Sequence, residues 1–95
     1  MRLAWTPRAR RARAAAIDYI ARDKPETALA QLGEIEQQTK LLPDHPALGR
    51  PGRLAGTREL VISRTPFILV YRIDGESVRI LHFLHGAQQW PPETT

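Results

Sequence analysis

The chain contains no cysteine, which excludes disulfides, a thiol nucleophile and any cysteine-based zinc site. Histidine is scarce as well. His45, His82 and His85 are too few and too unevenly spaced for a dedicated metal cage, so neither a metal nor another cofactor is expected. No apolar run approaches the ~20 residues that a membrane-spanning helix needs. The basic start runs into arginine and alanine rather than the apolar segment of a secretory leader. Aromatic residues make up only 6%, yet 42% hydrophobic and 25% charged residues are too apolar a mixture for a disordered chain. The expectation is one small domain of 95 residues, soluble and cytoplasmic, with no membrane contact.

Acidic charge is missing from the first thirteen residues, which hold five arginines: Arg2, Arg8, Arg10, Arg11 and Arg13. Residues 14–47 reverse the sign, with six acids to three bases. Residues 48–72 then set Arg50, Arg53, Arg58, Arg64 and Arg72 against Glu59 alone, and the whole chain sums to +4. Two basic blocks around an acidic one predict a basic patch if the fold unites them. Twelve arginines beside two lysines and twelve alanines is also the composition that a GC-rich genome produces. As chemistry, the planar fork of arginine suits phosphate or carboxylate, which it bonds at two points.

Residues 1–5 read as a strand. Thr6-Pro7 then supplies a hydroxyl cap and a proline at the first helical position, where its missing N–H costs nothing. Ala9, Ala12, Ala16, Ile17 and Ile20 follow at spacings of three and four, predicting a helix over 7–22. Pro25 starts a second helix over 25–41, with Ala28, Leu32, Ile35, Thr39 and Leu42 as its buried stripe and Leu29 alongside. The two form an αα-hairpin. Residues 42–56, rich in proline and glycine, read as a loop. Three strands follow within 57–85, at 57–64, 67–73 and 77–85, broken at Thr65-Pro66 and Asp74-Gly75. Residues 86–95 form a tail.

Strand alternation places Val78, Ile80, His82 and Leu84 on one face of the last strand and Arg79, Leu81, Phe83 and His85 on the other. On that alternation His82 reads as a core histidine; Trp5 near the first strand and Tyr71 in mid-strand also read as core residues, and His45, between Asp44 and Pro46 in the loop, reads as solvent-facing. Both faces of the meander carry apolar residues. The helical hairpin should cover one, leaving the opposite face as an apolar, arginine-edged surface for a partner.

The fold class expected is therefore α+β, in the order β-α-α-β-β-β, an antiparallel sheet with a helical hairpin on one face. In that order stand Trp5-Thr6-Pro7, then Gly-Arg-Pro-Gly-Arg-Leu-Ala-Gly-Thr-Arg-Glu-Leu over 49–60. Pro-Phe-Ile-Leu-Val-Tyr-Arg-Ile over 66–73 and Leu-His-Gly-Ala-Gln-Gln-Trp-Pro over 84–91 complete the series. This series resembles the RelE/ParE superfamily of type II toxin–antitoxin toxins, over almost the whole chain. The resemblance implies a bacterial growth-inhibiting, plasmid-stabilising toxin. It also implies a cognate antitoxin whose acidic, partly disordered segment wraps and neutralises the toxin in a hetero-oligomer.

The superfamily divides on mechanism. RelE-like members cleave mRNA in the ribosome, and ParE-like members inhibit DNA gyrase without cutting. An RNA-cleaving site needs a base, an acid and a cation at the phosphate. His85 and Glu59 are the candidate catalytic pair, with Arg58, Arg64 and Arg79 for phosphate and Trp90 for stacking on a base. Arg50, Arg53 and Arg72 are candidates for partner contact. The position after the aromatic of the second meander strand, usually arginine in RelE-like proteins, is Ile68, and Gln88 stands about where a further arginine falls. Ribosome-dependent mRNA cleavage is the first expectation, and gyrase inhibition or an inactive relic the alternatives.

Overall fold

A computed structural model describes residues 1–92; the last part of the expected tail, 93–95, lies outside the described residues. The elements run β1 (Arg2–Trp5), α1 (Pro7–Asp23), α2 (Pro25–Thr39), β2 (Arg50–Pro51), β3 (Arg58–Val61), β4 (Phe67–Asp74) and β5 (Ser77–His85). Two helices thus pack on one five-stranded sheet, ordered β1-β5-β4-β3-β2.

Local chemistry explains the helix ends. The Thr6 hydroxyl accepts the Ala9 N–H at 3.2 Å, and Pro7 takes the first helical position. Thr6 also ties the helix to the sheet, donating its backbone N–H to the Ile80 carbonyl at 3.0 Å and its hydroxyl to the Leu81 carbonyl at 3.3 Å. Lys24 closes α1, its N–H reaching the Ile20 carbonyl at 2.8 Å, and Pro25 opens α2 at once. No residue is free to splay the hairpin. α2 ends at Thr39, two residues before the expected end, and the Thr39 hydroxyl folds back onto the Ile35 carbonyl at 2.7 Å. Leu42 is then buried completely by the turn that follows.

Three expectations about the sheet are corrected. The sheet is mixed, because β1 runs parallel to β5, with Leu3 opposite Val78 and Trp5 opposite Ile80. No tight turn links β1 to its neighbour, so nothing local in the sequence orients it. The expected loop 42–56 contains β2, two residues that pair Arg50 with Glu59 and Pro51 with Arg58. Finally, the face assignments on β5 change partway along the strand. Val70 pairs with His82 but Tyr71 pairs with Ile80, leaving Leu81 as an extra residue. One extra residue moves every later side chain to the other face. Val78 and Ile80 therefore share the helix side with Phe83, while His82 and Leu84 lie on the outer side.

The core lies between hairpin and sheet. Ala9, Ile35 and Leu42 meet Leu60, Ile62, Phe67, Leu69, Tyr71, Val78, Ile80 and Phe83, with Leu3, Trp5, Ile17 and Ile20 packed around them. Leu29, expected beside this stripe, is 73% exposed.

Tyr71 is buried entirely and ties the loop to the sheet. Its hydroxyl donates to the Pro46 carbonyl at 2.7 Å and accepts the Gly49 N–H at 2.8 Å. Gly49 leaves no room for a side chain, since a Cβ there would lie 2.8 Å from the Tyr71 ring. Burial also pushes the Tyr71 phenol pKa up, so the hydroxyl stays protonated. Tyr71→Phe strands both backbone groups, and urea denaturation should show a loss of about 1–3 kcal/mol.

Candidate functional site

The outer face of the sheet carries a row of facing residues, Arg50 to Glu59 to Val70 to His82, across β2, β3, β4 and β5. Glu59 is the centre of this row. Its carboxylate is 1% exposed and accepts Arg50 Nη2 at 3.1 Å and Arg53 Nη2 at 2.9 Å on Oε1. Oε2 accepts Arg53 Nε at 3.2 Å and the Arg53 backbone N–H at 3.0 Å. These hydrogen bonds, those from Arg53 foremost, outweigh the opposing effect of burial and hold the Glu59 pKa down to about 2. A general base works best with a pKa near the ambient pH. Glu59 is thus held as the anion of an ion pair.

Arg53 reaches further. Its Nη1 donates to the Trp90 carbonyl at 2.9 Å. The Trp90 indole in turn lies 4.5 Å from the His82 ring, with its Nε1 buried and unpaired among the described residues. The C-terminal segment is thereby strapped over the outer face. Val70 is wholly buried and Leu84 only 4% exposed. This is the face expected to stay open for a partner, and Trp90 of the chain's own tail rests on it at His82. Burial, and then the charge of Arg8, lowers the His82 pKa, which favours the uncharged form of the ring that lies tilted against Trp90. His82 is half-buried under that strap, and not inside the core as the alternation suggested.

The open apolar surface lies instead beside the hairpin. A groove of about 500 Å³ runs between Ala12, Ala16 and Ile20 of α1 and Phe67 and Phe83 of the sheet, with Gln31 and His85 also on its walls. The Gln31 side-chain oxygen is buried there and has no partner among the described residues. His85 ends β5 opposite Phe67, its ring edge-on at 6.2 Å, and its Nδ1 accepts the Ala87 N–H at 3.1 Å.

The remaining candidates are dispersed. Arg64, at φ 64° in the turn before β4, grips Glu34 of α2 with both prongs, at 2.5 and 2.8 Å. That grip, with help from Gln38, holds the Glu34 pKa down to about 2. Arg58 donates to the Gly49 carbonyl at 2.8 Å. Arg72 and Arg79 sit opposite one another on β4 and β5 and share Asp74, at 3.5 and 3.3 Å. Arg79 lies six residues from His85 along β5, about 20 Å at strand spacing. Arg50, Arg53, Glu59 and Trp90 come together, and His85, Arg58, Arg64, Arg72 and Arg79 stand apart from them. Among the described residues, no three His, Asp or Glu side chains converge where a metal could sit. The sequence reading missed the groove, although its signal was present: alanines at 12 and 16 leave space over the sheet where larger residues would have filled it.

A helical hairpin on a five-stranded mixed sheet is the fold of a RelE/ParE-type toxin. The model of the ParE toxin family of type II toxin–antitoxin systems, parDE, matches residues 3–90, and the chain belongs to that family. It is 42% identical to the candidate toxin Y4kP of Sinorhizobium fredii over 90 residues, 95% of this chain and 93% of the relative. A solved structure of the chromosomal ParDE toxin–antitoxin system of P. aeruginosa superposes with a TM-score of 0.83 at 32% identity, covering 90% of this chain and 95% of that one. The YoeB dimer of Staphylococcus aureus shares the fold more distantly, with a TM-score of 0.53 at 17% identity over 86% of this chain and 92% of its own.

The low Glu59 pKa has a pH signature. A carboxylate depressed from 4.5 to about 2 contributes stability that is complete above the unfolded value and lost as pH falls through the folded one. Glu59→Gln should therefore lower stability by about 2–3 kcal/mol at neutral pH. The gap between variant and parent, followed by denaturation across pH, should narrow below about pH 4.5 and close near pH 2.

Proposed function

We propose that this chain arrests growth by binding its target rather than by cutting RNA, that the target is DNA gyrase, and that a cognate antitoxin neutralises it. The dispersal of the candidate catalytic groups carries this reading. Glu59 is held as an anion by two arginines. His85 faces the apolar groove, and each candidate phosphate ligand is bonded within the chain. An RNA-cleaving centre requires base, acid and cation around one phosphate, and these residues surround no common point. Membership of the ParE family supports the same branch. No assembled site favours mRNA cleavage.

The antitoxin reading draws on the groove. Its walls are apolar and it lies open between hairpin and sheet. An amphipathic segment that orders on binding would bury its apolar side there, completing a hetero-oligomer.

One pair of assays separates the readings. Purified toxin should block supercoiling by purified gyrase, leave message intact in a translating extract, and do both equally well as His85→Ala. Cleaved message that disappears with His85→Ala, together with unimpaired supercoiling, would favour the nuclease. Toxin that is inert in both assays and harmless when expressed without antitoxin would identify the relic.

A further inference from the structure

α1 opens with Arg8, Arg10, Arg11 and Arg13 inside its first two turns and with no acid in its first turn. Four cations there act against the helix. The N-terminal end already carries the positive pole of the aligned peptide dipoles. Arg8 with Arg11, and Arg10 with Arg13, are like charges three residues apart, which repel. At the other end of the same helix, Arg22 sits where a cation is favoured.

The arginines of β2 to β5 and the loops between them are accounted for within the chain. Arg50 and Arg53 bind Glu59, Arg64 binds Glu34, Arg72 and Arg79 bind Asp74, and Arg58 binds the Gly49 carbonyl. Among the described residues, the side chains of Arg8, Arg10 and Arg11 make no ion pair or hydrogen bond, and all three are exposed. Arg13 lies over the Trp5 ring at 4.2 Å, which braces the cluster against β1. The expected phosphate ligands Arg58, Arg64 and Arg79 are thus engaged, and apart from Arg2 on β1 and Arg22 at the far end of α1 the exposed arginines without a partner among the described residues cluster at the start of α1.

We propose that the N-terminal end of α1 is a nucleic-acid contact that grips the phosphate backbone, without reading sequence, through Arg8, Arg10 and Arg11. Residues 8–13 span roughly 7 Å of helix axis, and a duplex presents about one phosphate charge every 1.7 Å of its own axis, so several phosphates fall within reach at once. An acidic amphipathic peptide fits this surface less well. The large exposed apolar side chains are Met1, Tyr19, Leu29, Leu41, Leu48, Val61 and Ile73, none of them among residues 7–18 to seat a peptide's apolar side. No arginine lines the groove that offers such a seat. The contact goes beyond the choice of protein target and does not depend on it.

The test measures binding of the full chain to a labelled DNA duplex of about 20 base pairs by fluorescence anisotropy between roughly 50 and 200 mM salt. The triple variant Arg8→Gln, Arg10→Gln, Arg11→Gln should lose at least tenfold in affinity at the lowest salt, and its log–log salt slope should be shallower by about 2.7, or ~0.9 per lost phosphate contact. A second triple, Arg64→Gln, Arg72→Gln, Arg79→Gln, has the same net charge and should stay within about twofold of the parent in affinity. Circular dichroism should show both variants folded, and Arg10→Lys with Arg11→Lys should keep most of the slope. A single-stranded RNA of equal length distinguishes which nucleic acid supplies the phosphates. Equal losses in the two triples, an unchanged slope, or equally tight binding of a polyglutamate peptide would overturn the proposal.

Discussion

The extra residue that β5 carries at Leu81 sets what each face of the sheet presents. Before it, Val78 and Ile80 point into the core beneath α1; beyond it, Phe83 takes over that role, and His82 and Leu84 turn outward. Without the bulge, strict alternation would send Phe83 away from the hairpin and bring His82 into the core. The groove would lose an aromatic wall and the tail would lose the ring on which Trp90 rests. The Leu81 carbonyl, which borders the irregularity, accepts the Thr6 hydroxyl, the same group that caps α1. Helix start and strand bulge are therefore coupled through one side chain.

Charge is divided between two uses. A buried carboxylate is tolerable only when its lone pairs are filled. Glu59 meets that condition with two guanidinium groups and a backbone N–H from the loop around β2. The ion pair holds that loop against the sheet, and through Arg53 it also holds the tail. Arg64 does similar work at the surface by linking the turn before β4 to α2. Arg8, Arg10 and Arg11 at the start of α1 have no such employment and oppose the dipole of their own helix. A basic balance of +4 is therefore not one diffuse property but a structural set of arginines in the sheet and an uncommitted set on α1.

Three surfaces are separated by this arrangement: an apolar groove beside the hairpin, a strapped outer face, and a cationic helix end. A molecule seated in the groove would leave the arginines at the start of α1 uncovered, since none of them lines it.

Much of the fold was legible from short-range pattern. Thr6-Pro7 and Lys24-Pro25 mark helix starts, apolar spacings of three and four mark the buried faces, and Asp74-Gly75 marks a hairpin whose Gly75 adopts φ 61°. Those signals act within a few residues, so a sequence states them directly, and their order carried the family resemblance. The direction of β1, the bulge at Leu81, the pairing of Glu59 with Arg50 and Arg53, and the return of Trp90 onto His82 were not legible. Each joins residues brought together by packing or by a shift of strand register, with no local turn or periodicity to announce it. The sequence by itself determined which elements form and in what order. Tertiary structure alone decided which side chains meet, because burial and desolvation act on neighbours in space rather than along the chain.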